Sequence, residues 1–101
     1  MKSIILFIFV FMLEPSMKAY PNPFTEKLYI EFSHNKNAHA RLNIYSITGA
    51  RLETLFDQSI TGGEVNKVEY LPKLHSSQMV LYHLILDGKT YVGKVTYNER
   101  R

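Results

Sequence analysis

Tyr20-Pro21-Asn22-Pro23-Phe24 leads, after three residues, into Leu28-Tyr29-Ile30-Glu31-Phe32. The two prolines hold the backbone extended and remove two main-chain donors. Such a stretch suits the edge at which a chain joins a sheet, and neither a helix nor a central strand. The residues that follow alternate: Leu28, Ile30 and Phe32 fall on one face, Lys27, Tyr29 and Glu31 on the other. That is the period of a half-buried strand, here spanning residues 26–33. Together the two features start a small β domain near residue 20.

The rest of the chain extends the pattern. Asn35, Lys36 and Asn37 make a polar turn, and residues 39–46 set Ala40, Leu42 and Ile44 inward against Arg41, Asn43 and Tyr45 outward. Ser46-Ile47-Thr48-Gly49-Ala50 closes this second strand, with Gly49 able to take positive φ. Residues 51–57 read as a third strand; Thr61-Gly62-Gly63 connects to a fourth over residues 65–71, and Pro72 ends it or marks it as an edge. Residues 79–86 are apolar on both faces, as in a central strand covered on both sides. Asp87-Gly88 then joins them to residues 90–97, a strong hairpin signal. No amphipathic helix follows residue 20. The fold expected is all-β, an immunoglobulin-like β-sandwich of six to seven short antiparallel strands.

The chain has 101 residues, a net charge of +3 and no cysteine. The missing cysteine excludes disulfides, thiolate zinc sites and a thiol nucleophile. Residues 1–19 read as a secretory leader: Lys2 precedes ten apolar residues, 4–13, and Glu14-Pro15-Ser16-Met17-Lys18-Ala19 breaks the run, with Ala19 the cleavage position. Ten residues rise about 15 Å as a helix, about half the hydrocarbon thickness, so no stable membrane span is expected. Without the leader, ten basic and eight acidic side chains remain. They are interspersed rather than clustered on one face, which disfavours nucleic acid as a partner. The organisation is a leader at 1–19, a β domain at 20–97 and a charged tail at 98–101.

About eighty folded residues leave little room for a deep catalytic cleft. His34 and His39 flank a turn, His75 lies in a polar loop and His83 sits on a strand; none has a carboxylate or cysteine at ligand spacing, so no metal or cofactor is expected. Ser76, Ser77 and Thr48 lack a converging base, and Gly62-Gly63 lacks the lysine and helix of a phosphate-binding loop. No catalytic residue and no small-molecule substrate is assigned. The seven tyrosines fall mainly on strands, where an outward set could form a contact patch for a sugar or a protein.

The ordered pieces resemble a known family. They are Tyr20-Pro21-Asn22-Pro23, then Leu42-Asn43-Ile44-Tyr45-Ser46-Ile47-Thr48-Gly49, then Leu74-His75-Ser76-Ser77, Asp87-Gly88-Lys89, and Gly93-Lys94-Val95. Their order is similar to that of the type A C-terminal sorting domain carried by cargo of the Bacteroidota type IX (Por) secretion system, over about residues 20–97. The resemblance implies a non-catalytic immunoglobulin-like domain acting as an address. Cargo would reach the periplasm through an ordinary signal peptide. The outer-membrane translocon would read the domain, and a sortase would remove it while attaching cargo to the cell surface, with other cargo released. The sorting-motif residues it implies here are Tyr20, Pro21, Asn22, Pro23, Gly49, Asp87, Gly88, Lys89, Gly93, Lys94 and Val95. The chain departs from the pattern at Gln78 and Val80, where members carry a glycine and an aromatic, and in having no cargo domain between leader and sorting domain. The rival reading is an extracellular immunoglobulin-like binding or adhesion module, whose mark would be an outward tyrosine patch on one sheet.

Overall fold

A computed structural model describes residues 15–100, and every helix or strand among them is a strand. The apolar run at 4–13, on which the leader reading rests, lies outside the described residues, as does Arg101. The strands are β1 (Ser16–Tyr20), β2 (Leu28–Ser33), β3 (Ala38–Ser46), β4 (Arg51–Ile60), β5 (Asn66–Tyr70), β6 (Gln78–Leu86) and β7 (Lys89–Tyr97). They form a three-stranded sheet ordered β1-β2-β5 and a four-stranded sheet ordered β4-β3-β6-β7, antiparallel throughout. The fold is therefore the β-sandwich that the alternation anticipates.

The core is built from the inward set of each strand. Leu28, Ile30 and Phe32 from β2 and Tyr70 from β5 meet Ala40, Leu42 and Ile44 from β3, Val80, Tyr82, Leu84 and Leu86 from β6, and Val95 and Tyr97 from β7. Burying a Val, Leu, Ile or Phe side chain contributes about 1.5–3 kcal/mol, so the nine such residues among these dominate the stability of this small domain. Asn43 is buried although its neighbours in the pattern point it outward. The β3–β4 register shifts at Leu42/Asn43; the Thr54 hydroxyl donates to Asn43 Oδ1 at 2.7 Å and Asn43 Nδ2 donates to the Tyr45 hydroxyl at 3.4 Å, so both ends of the buried amide have a partner.

Three elements differ from the sequence reading. β1 begins at Ser16, so a domain boundary at Tyr20 or cleavage after Ala19 falls inside this strand, whose Met17 and Ala19 pack on the core. Five residues with one half-apolar face, adjoining a hydrophobic run, carry too little alternation to be separated from a leader. β4 continues to Ile60 because Asp57, Gln58 and Ser59 pair with Arg41, Ala40 and His39; an exposed edge strand has no apolar period to read. β6 is buried on its inner face only. Its outer residues Leu81, His83 and Ile85 are half-covered by side chains of the flanking strands, with Tyr45 stacked on His83 at 4.3 Å between ring centres.

Candidate functional site

The sorting-motif residues other than Gly49 gather around β7. Asp87 and Gly88 form the two-residue turn between β6 and β7, with φ of 51° and 77°. Both angles are positive, as the type I′ hairpin turn requires, and Gly88 takes its value without Cβ strain. The β6–β7 ladder then runs in register over all nine residues of each strand. Gly93 faces Tyr82 in that ladder, and the Tyr82 ring occupies the space a Cβ at position 93 would need. Glycine at 93 thus lets a large ring lie flat over the strand and close the core.

The turn is fastened to the opposite sheet. Asp87 Oδ2 lies 3.1 Å from Nε2 of His34, a buried residue just after β2, and 3.6 Å from Lys36 Nζ. The hydrogen bond from His34, aided by the Lys36 charge, holds the Asp87 carboxyl below its usual range. His34 Nδ1 is buried without a partner, so the ring is best satisfied with its proton on Nε2, facing the carboxylate.

At its other end β7 is strapped down by the segment that opened the sequence reading. Thr96 N–H donates to Asn22 Oδ1 at 3.0 Å, Phe24 N–H to the Thr96 carbonyl at 2.9 Å, and Asn98 N–H to the Phe24 carbonyl at 2.8 Å. Phe24 forms a parallel bridge with Tyr97 and is itself buried, its ring 5.3 Å from that of Tyr97 and 6.2 Å from that of Tyr70. Residues 21–23 therefore cross from edge strand β1 of one sheet to edge strand β7 of the other. The prolines cannot donate to a ladder, and the Asn22 side chain supplies the acceptor that a strand carbonyl would otherwise offer. The tail is held too: Glu99 N–H donates to Ser77 Oγ at 2.7 Å, and Arg100 pairs with Glu26.

Sequence reasoning placed the strap at a sheet edge but missed its partner, 74 residues away. Two prolines around an asparagine carried the available signal, since neither proline can donate to a ladder. The His34–Asp87 pair, 53 residues apart, had no sequence signal. Gly49 stands apart from this assembly, in the β3–β4 turn with φ of 95°. Val95 is buried, whereas Lys89 and Lys94 are exposed and make no ion pair among the described residues.

The tyrosines divide between sites. Tyr70, Tyr82 and Tyr97 are in the core. Tyr20 and Tyr29 pair at 5.8 Å on the outer face of the three-stranded sheet, with Lys67 Nζ 4.4 Å from the Tyr29 ring centre; Tyr45 lies on the other sheet. The Tyr20 hydroxyl donates to Glu31, and that bond raises the phenol above its usual range. The outward tyrosines thus do not make one patch. No group of three His, Asp or Glu residues gathers among the described residues, which hold no helix long and apolar enough to cross a membrane. Ser77 accepts a tail amide, and Thr48 bonds Ser46 within the β3–β4 turn.

The singled-out residues thus build turns, a strap and an edge strand of a small sandwich. A family model, the secretion system C-terminal sorting domain, matches residues 18–78, and the chain belongs to that family, the sorting domains of type IX secretion. The match runs from β1 to the first residue of β6. No curated protein matches the chain. Membership assigns a C-terminal secretion-signal role, interaction with the type IX machinery, and export to the cell surface or medium; the family is generally non-catalytic.

Proposed function

We propose that this domain directs passage across the outer membrane through the type IX translocon and subsequent surface attachment by a sortase, after transit of the periplasm behind a leader that carries the apolar run at 4–13 and ends ahead of β1. The C-terminal hairpin is the element read, with Asp87, Gly88, Lys89, Gly93, Lys94 and Val95 forming it and Tyr20, Pro21, Asn22 and Pro23 holding it in place. The observation that carries this reading is the strap. Residues from the two ends of the domain, 22–24 and 96–98, are hydrogen-bonded into one structure, so the last strand is presented in a fixed conformation. An address of this kind works by shape and main-chain display rather than by chemistry. The test places residues 15–101 behind an exported fluorescent reporter, in a host with an intact type IX system and in the same host lacking its translocon. Reporter on the surface or in the medium of the first host alone is the expected result; reporter held in the periplasm of both overturns the proposal.

A further inference from the structure

We infer that the open half of β7, from Thr90 to Lys94, accepts an extended strand of a partner polypeptide by main-chain pairing, and that the strap at Asn22 and Phe24 sets where the added strand stops. In the antiparallel β6–β7 ladder, N–H and C=O groups of successive residues point alternately toward β6 and away from it. Thr96 points away, as its bonds to Asn22 and Phe24 show. By the same alternation Thr90, Val92 and Lys94 turn their N–H and C=O groups outward, and among the described residues no strand pairs with them. The edge is thus closed at one end and open at the other.

The other sheet edges are protected in the ways that prevent edge pairing. β1 and β5 are five residues long and carry Lys18, Lys67 and Glu69. β4 is long, but its ladder with β3 is shifted twice and it carries Arg51, Glu53 and Asp57. β7 has an unshifted nine-residue ladder, and its open half presents Thr90 and Val92, the latter 56% exposed, with a charge, Lys94, only at its far end. A β-branched residue standing in solvent beside unpaired main chain is what an incoming strand can cover.

The surroundings define the partner's chemistry. On the inner side of the hairpin tip a cleft of about 200 Å³ is lined by His34, Lys36, Asp87, Lys89 and Tyr91. Asp87 is balanced there by Lys36 and bonded to His34, which leaves Lys89 as the unmatched charge. The strand that fits carries a carboxylate on the side facing this cleft and, one residue along, an apolar side chain over Val92. It also ends or turns away at Asn22. The pairing rests on geometry alone; its assignment to a strand of the export machinery rests on the function proposed above.

The test uses the full chain, produced in a host with an intact type IX system, with a photoreactive residue at position 90, 92 or, as a control on the β4 edge, 59. Val92→Pro removes an outward N–H and leaves the β6 ladder whole; Val92→Thr keeps the N–H and the β-branch. Amide protection of Val95 and Tyr97 verifies that both variants are folded, and Lys89→Glu offers a second variant that leaves the backbone untouched. The expected result is an adduct from positions 90 and 92, absent from 59, that maps by mass spectrometry to one extended segment of an identified outer-membrane protein. Its yield from position 90 should fall about tenfold with Val92→Pro, as the loss of one main-chain hydrogen bond at the upper end of its usual net contribution implies, and hold with Val92→Thr. No adduct from 90 or 92, equal adducts from 59, or indifference to a folded Val92→Pro chain overturns the inference. A proline-sensitive adduct that persists in the host lacking the translocon supports strand addition and refutes the export reading.

Discussion

Replacing Asn22 with alanine tests whether the strap is held as described. The substitution removes the acceptor of the Thr96 amide, 3.0 Å away on the side of β7 that faces away from β6. A net hydrogen bond contributes about 0.5–1.5 kcal/mol. The site is exposed, so water can replace the lost acceptor and global stability should fall by about 1 kcal/mol or less. Phe24 keeps its two main-chain bonds and its buried ring, so β7 should stay docked. The local effect is sharper. Hydrogen exchange of the Thr96 amide should accelerate about tenfold, the equivalent of 1.4 kcal/mol, because its protection depends on that one side chain. Val95 and Tyr97, whose amides point into the β6 ladder, should keep theirs. Residue-resolved exchange by NMR on wild type and Asn22→Ala reads this directly. Unchanged exchange at Thr96 would refute the capping role, and equal acceleration at all three amides would show that Asn22 holds the whole strand.

Gly93→Val drives a side chain into the Tyr82 ring and should cost about 1–3 kcal/mol by urea denaturation; wild-type stability would mean that the ring has another place to go. Gly88→Val forces a β-branched residue to φ near 77° at a cost of about 1–3 kcal/mol, and should abolish sorting of the fused reporter; normal export of that variant would remove the turn from the address. Asp87 has its pKa lowered in the fold, so its contribution is present above the unfolded value, near 4, and is lost as pH falls through the folded value. Asp87→Asn should therefore lower stability at pH 7 and flatten the loss of stability below about pH 4, a comparison made by urea titration at both pH values. A chain beginning at Tyr20 lacks four residues of β1, with Met17 and Ala19 from the core rim, and should be about 2 kcal/mol or more less stable than one beginning at Pro15. Equal midpoints would place β1 outside the cooperative unit.

The sequence by itself determined the class of fold and most of its strands. Period-two alternation in residues 28–33 and 39–46, broken only at the buried Asn43, specifies which side chains are buried, because a slip of one residue would turn Leu28, Ile30 and Phe32 to solvent. Asp87-Gly88 specified its hairpin because few residue pairs tolerate two consecutive positive φ angles. The ordered motifs carried the family as well. The tertiary structure alone decided what those motifs do. That Asn22 caps Thr96, that Phe24 bridges to Tyr97, and that His34 holds the hairpin turn are contacts across 53 to 74 residues. No local period encodes them, since each depends on which strands become neighbours once two sheets close over a shared core. The same holds for the exposed half of β7: alternation shows which side chains face out, but only the arrangement of edges and strap shows which main-chain groups are left without a partner.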